Sequence, residues 1–191
     1  MTQLEIQRLG DKLQGEFAQR SKAECGEDVT AGSALFAHDG IASAARQIRL
    51  LKRLKPRLVV EIGTGRAVTT VALARIAEKV ITIDIGPLPL RTAVLDFAGA
   101  HNVAQVVVSA DADKALLLHE LDFDVAFIDG DHSVGGCGFD FEHVSKCGRV
   151  LFHDYTPETP NGPYHVVHKL PPDQVILDRP FAWWFAEGVA R

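Results

Sequence analysis

From about residue 58 onward, short apolar runs alternate with stretches of helical character. The runs are LVVEI (58–62), VITID (80–84), AQVVVS (104–109), DVAFID (124–129) and RVLFHD (149–154). Each is rich in Val, Ile or Phe and lacks a clean apolar–polar alternation, as expected of parallel strands covered on both faces. Between them, 67–78 follows a glycine turn, 87–99 carries proline near its first turn, and 111–121 opens on an aspartate suited to an N-cap. The stretch 134–146 is a poorer helix, since Gly135, Gly136 and Gly138 each disfavour one. Near the end, QVIL (174–177) and PFAWWFA (180–186) predict two late strands with hairpin-like pairing, preceded by a short helix near 163–169. The pattern predicts an α/β fold: a doubly wound, seven-stranded, mostly parallel sheet with an antiparallel addition at its end. Residues 1–57 read as a mostly helical N-terminal cap, and 58–191 as the α/β core of a single domain 1–191.

Composition narrows the setting. With 191 residues, 47% hydrophobic and 24% charged, the chain falls in the ordinary globular class. The formal charge of −5 hides an asymmetry, because residues 1–57 carry ten Lys/Arg against seven Asp/Glu. Arg46, Arg49, Lys52, Arg53, Lys55 and Arg57 read as the solvated face of a helix, since an acidic chain repels phosphate overall; no nucleic-acid partner is expected. The three cysteines, Cys25, Cys137 and Cys147, show no CxxC spacing, which suits a reduced, cytoplasmic protein. The first residues are polar and amphipathic, with no signal-peptide core, and no run nears the roughly 20 apolar residues of a membrane span.

The first strand runs into EIGTGRAV, placing Glu61, Gly63 and Gly65 between strand and helix. Glycines there let backbone approach a ligand, and the helix start offers free N–H groups. A dinucleotide fingerprint would need a third glycine where Val68 stands, so NAD is disfavoured. Glu61 would repel a pyrophosphate and suits a ligand bearing an ammonium or sulfonium. Asp84 ends the second strand, where an acid accepts from ribose hydroxyls, and Asp111 follows the third; open α/β sheets bind ligands at this edge.

EIGTGRAVTTVALA, ITIDI, VVVSADADKAL, DVAFIDGDHS and GRVLFHDY, in this order, resemble the class I S-adenosylmethionine-dependent methyltransferases. The last two blocks are similar to a subgroup of small O-methyltransferases with FIDGDHSY and HD motifs. The resemblance covers about residues 35–186. It implies S-adenosylmethionine as cofactor, with Glu61, Gly63, Thr64 and Gly65 at its methionine part, Asp84 at the ribose, and Ser109, Ala110 and Asp111 beside the adenine. Asp129 would lie next to the sulfonium and, in metal-dependent relatives, bind a divalent ion. Three positions depart: Ala67 stands where many relatives have glycine, Val134 replaces the tyrosine after DGDHS, and Tyr155 stands where catechol-type enzymes place an asparagine ligand.

If the fourth and fifth strands are neighbours, about 4.8 Å apart, Asp129 and Asp154 project from the same edge. Two carboxylates that close call for a shared proton or a cation. Mg²⁺ fits such a pair; with His132 or His153 added, Mn²⁺ or a softer ion does too. The cation would hold an acceptor hydroxyl and lower its pKa, and His132, with His153 second, is the expected base. Asp131 reads as a turn residue. Of the adjacent Trp183 and Trp184, one is expected in the core, with the other at a substrate pocket or interface. The expected function is O-methylation of a small-molecule hydroxyl, with a homo-oligomer implied by resemblance. The rivals are a metal-dependent hydrolase built on DGDHS and HD, and a cofactor-binding protein without turnover. The loop 155–163 (YTPETPNGP) and the N-terminal residues are where acceptor choice would reside.

Overall fold

In the computed structural model, which describes residues 41–87 and 89–191, the apolar runs become seven strands of one sheet. The expected helical character of residues 1–40 lies outside the described residues. The rest of that cap is helix α1 (Ile41–Leu54). There follow β1 (Leu58–Ile62), α2 (Val68–Ala74), β2 (Lys79–Asp84), α3 (Pro89–Ala98), β3 (Val103–Val107), α4 (Asp111–Glu120), β4 (Val125–Ile128), α5 (Val134–Val144), β5 (Arg149–Phe152), α6 (Gly162–Val167), β6 (Val175–Asp178) and β7 (Phe181–Phe185). The strand order is β3-β2-β1-β4-β5-β7-β6. The first five pair in parallel, and β7 runs antiparallel to both β5 and β6.

Successive strand residues point to opposite faces, and both faces are covered here. Val60, Ile62, Ile81, Ile83, Ala126, Ile128 and Phe152 face Leu118, Val144 and Val166 of α4, α5 and α6. Their neighbours Val59, Val80, Val125, Phe127 and Leu151 turn the other way, toward Leu51 of α1 and Leu73 of α2. That two-sided burial is why the strands show no polar alternation.

The tryptophans diverge as expected from a strand. Trp183 is 1% exposed on the sheet face that packs against α1 and α2, and its indole N–H donates to Gln47 Oε1. Trp184 packs edge-on against Phe141 and donates to Gln174 Oε1 at 2.9 Å. Gln47 also donates to Asp178 Oδ2 at 2.6 Å, and Arg46 pairs with the same carboxylate, so α1 is fastened to β6 and β7.

Two local expectations change. Helix α5 forms despite its glycines, because the Ser133 hydroxyl caps it by accepting from the Gly136 N–H at 3.0 Å. A Cβ on Gly136 would sit 2.2 Å from Asp131 Oδ2, so the glycine admits the turn that begins the helix. Asp111 is not the N-cap of α4; Ala110 holds that place, and Asp111 is the first helical residue, its carboxylate 3.5 Å from Lys114 Nζ.

Candidate active site

Chain reversal at the end of β1 builds the first wall of the site. Gly63 takes φ +93°, and a Cβ there would meet the Asp129 carbonyl oxygen at 2.1 Å, so glycine is required. Gly65, at φ +48°, has nothing among the described residues within 4 Å of its Cβ position and lines a cleft. Beneath the turn the expected ligand-facing residues point inward. Thr64 Oγ1 lies 2.6 Å from Thr82 Oγ1. Glu61 has no exposed surface; its Oε2 accepts from Thr70 Oγ1 and Thr82 Oγ1, each at 2.6 Å, while Oε1 is buried without a partner among the described residues. Burial, only partly opposed by those two hydroxyls, pushes the Glu61 pKa up to about 8. Glu61 therefore supports the glycine turn from below, with Oε1 an acceptor left without a donor among the described residues.

Asp84, the last residue of β2, lines the cleft. Its Oδ1 accepts from the Ile85 N–H at 2.8 Å, and its Oδ2 from the Gly65 N–H at 3.2 Å. Behind it stands Arg91 of α3, 2.5 Å from Asp84 Oδ2, which also donates to the carbonyls of Gly65 and Gly86 at 2.8 and 2.7 Å. Nothing in the sequence singles Arg91 out, since a lone arginine early in a helix usually faces water.

At the far side of the same edge, β4 and β5 pair with Ile128 opposite Phe152, and each then ends in acid. Asp129, His153 and Asp154 present ligand atoms that all lie within 4.8 Å of one another. His153 Nδ1 is 3.0 Å from Asp129 Oδ1 and 3.2 Å from Asp154 Oδ1. Burial pulls the His153 pKa down, but the two carboxylates outweigh it and lift it to about 9. His132 completes the group, with Nε2 3.5 Å from Asp129 and Nδ1 3.6 Å from Asp154, and its Nε2 is buried with no hydrogen-bond partner among the described residues. Asp129 above all, then Asp154, raises His132 above its ordinary value against partial desolvation. Asp154 is held at φ +53°, a conformation costly for most side chains and tolerated by Asp and Asn. The four residues expected at a metal or proton site therefore do converge.

Asparagine ligation is a different matter. Tyr155 is buried, its hydroxyl 2.9 Å from His168 Nε2. The next asparagine, Asn161, spends both ends of its amide elsewhere, accepting from the Tyr164 N–H and donating to the Asp154 carbonyl. Asp131 is the turn residue it was read as, accepting from both the N–H and the hydroxyl of Ser133.

Between these walls runs a cleft of about 460 Å³, whose lining includes Gly63, Gly65, Asp84, Val108, Lys114, Asp129 and Asp140. Lys114 Nζ lies 2.7 Å from the fully buried Asp140 carboxylate and 4.9 Å from the centre of the Phe139 ring. Neither of that pair stood out in the sequence. Ser109, Ala110 and Asp111 are exposed just beyond Val108.

No protein-family model matches the chain, and no curated protein matches it. Solved structures do. The O-methyltransferase TomG from Streptomyces achromogenes, in complex with SAM, superposes with a TM-score of 0.60 at 19% identity, over 92% of this chain and 90% of that one. The SAH-bound methyltransferase PaMTH1 of Podospora anserina gives 0.59 at 14% identity, over 91% and 88%. An O-methyltransferase from Bacillus cereus, in complex with SAH, gives 0.56 at 14% identity, over 90% and 97%. At such identities the likeness is one of architecture: the seven-stranded, mostly parallel sheet with flanking helices is the Rossmann-like methyltransferase fold.

Proposed function

We propose that the chain is an S-adenosylmethionine-dependent methyltransferase that transfers a methyl group to a hydroxyl oxygen of a small molecule. The observation that carries this reading is the continuous cleft along the strand ends, which joins the glycine turn and Asp84 to Asp129 on a fold of this kind. Gly65 leaves space where a ligand backbone would lie, Asp84 offers a carboxylate to a ribose, and a sulfonium beside Asp129 meets negative charge. The solved relatives that hold SAM or SAH support the same choice of cofactor.

A divalent cation fits the donor set of Asp129, His153 and Asp154: two carboxylates and an imidazole within one cation's reach. Such an ion would supply Lewis acidity at the acceptor hydroxyl. Asp129 and Asp154 bring negative charge to that point, and His153 is oriented by both of them. His132, partly exposed as a residue, is assigned to take the hydroxyl's proton through its imidazole, whose Nε2 lies buried without a hydrogen-bond partner among the described residues. Methyl transfer needs its partners aligned more than it needs protein chemistry, so the chain's main work is positioning. The proposal includes a cytoplasmic, homo-oligomeric enzyme of one domain. A hydrolase would use the cluster around Asp129 but leaves the glycine turn and Asp84 without a task.

Calorimetric titration with S-adenosylhomocysteine, before and after EDTA treatment and with added Mg²⁺, tests the reading. Micromolar binding that weakens markedly in Asp84→Asn is expected, and a Mg²⁺ effect would locate the cation. Absence of binding under every condition sinks it, and failure to turn over any hydroxyl acceptor leaves only a binding protein.

A further inference from the structure

We infer that Arg91 is a positioning residue for the nucleoside end of the cleft, acting through Asp84; this rests on the proposed cofactor. Arg91 is 5% exposed, yet its guanidinium is spent on three points of the ligand edge and none of the core: Asp84 Oδ2, the Gly65 carbonyl and the Gly86 carbonyl. A buried ion pair is a poor device for stability, because desolvating both charges offsets their attraction. The rigid, planar fork of arginine is a good device for fixing relative positions. Here it ties the glycine turn after β1 to the loop after β2, the two segments that a nucleoside would touch together.

The lone pairs of Asp84 sharpen the inference. Each carboxylate oxygen accepts about two hydrogen bonds. Oδ2 is filled by Arg91 and the Gly65 N–H, whereas among the described residues Oδ1 accepts only from the Ile85 N–H. Arg91 therefore turns the carboxylate so that Oδ1 keeps capacity for a ligand hydroxyl. By holding the Gly65 carbonyl, it also keeps that residue's N–H directed at Asp84. Without the guanidinium the carboxylate loses its cationic partner at 2.5 Å and is free to rotate, and a ribose loses a prepared acceptor.

The test uses two ligands and the full chain. In the wild type, S-adenosylhomocysteine should bind about 10- to 100-fold more tightly than its 2′,3′-dideoxy analogue, as expected for a hydroxyl on a charged acceptor. Arg91→Met should weaken S-adenosylhomocysteine about tenfold while changing the dideoxy analogue less than threefold, so that the diol preference collapses. In an Asp84→Asn background the same substitution should cost nothing further, since the two residues act as a unit. Arg91→Lys, which keeps a charge beside Asp84, should restore part of the preference and guards against a variant that merely folds poorly. Equal weakening of both ligands by Arg91→Met would overturn the inference and leave a loop brace. An unchanged affinity for S-adenosylhomocysteine would overturn it too. A wild type that binds neither ligand instead removes the cofactor assignment on which it rests.

Discussion

Glu61 and Ala67 are each set in an environment that resists the residue present. Glu61 has no exposed surface, and burial pushes its pKa up to about 8, well above its ordinary 4.5. Between those two values the folded chain binds a proton that the unfolded chain has released, so stability falls as pH rises through that window. The slope from this group is at most about 1.4 kcal/mol per pH unit. In urea melts from pH 5 to 9, Glu61→Gln should remove that decline and gain on the wild type at the alkaline end. A parallel decline in both proteins would mean that Glu61 ionises freely. Ala67 adopts φ +62° at the start of α2, a left-handed conformation that costs a non-glycine residue about 1–2 kcal/mol. Ala67→Gly relieves this but removes a buried methyl worth about 0.8 kcal/mol, so the net change should stay within about 1 kcal/mol. A loss above about 2 kcal/mol in the same melts would show that the methyl, not the backbone, decides. An acid inside an apolar strand was legible as special from sequence. Its direction was not, because Thr70 and Thr82, which hold it beneath the turn, lie on other elements. Arg91 was illegible for the same reason: its partners are a carboxylate on β2 and two loop carbonyls.

Elements were read more easily than single contacts, because periodicity and glycine placement are local. Each apolar run between 58 and 154 became a strand, with bounds displaced by a few residues where a run continued past its last pairing partner, as at Asp129 and Asp154. The late antiparallel pair also formed, in the order β5-β7-β6. That exchange of neighbours depends on which strand edge remains open, and no local pattern records it. Pairing with β5 puts Trp183 opposite Leu151 and beneath α1, among residues that also hold Gln47. Trp183→Ala should cost about 3–5 kcal/mol, as large aromatic deletions from a core do. Trp183→Phe keeps most of the packing and should cost about 1 kcal/mol for the lost hydrogen bond. Urea unfolding separates the two values; near-equal costs would assign the stability to the Gln47 contact. Because Trp183 does not line the cleft, ligand affinity measured on the folded fraction should not move with either variant.

At the scale of the whole molecule, the chain gathers Asp84, Asp129 and Asp154 at one edge of the sheet, from residues 70 positions apart in sequence. Local reading could find the acids but could bring them together only through the strand order. Acids so placed have a common thermodynamic consequence. A ligand that binds only the folded state stabilises it by about 2.7 kcal/mol at one hundred times its Kd. For a chain of this size that is a rise in Tm of about 5–11 °C. S-adenosylhomocysteine should give such a rise through Asp84, and Mg²⁺ or Mn²⁺ a separate one through Asp129, His153 and Asp154. The two effects should come apart by substitution. Asp154→Asn suits the left-handed backbone at that position and should abolish the cation's shift while leaving the nucleoside ligand's intact. Asp84→Asn should do the reverse. Differential scanning fluorimetry on the three proteins reads both effects at once. A cation shift that persists undiminished in Asp154→Asn would place the ion elsewhere, and the cluster would then be an internal ion pair in which two imidazolium groups neutralise two carboxylates.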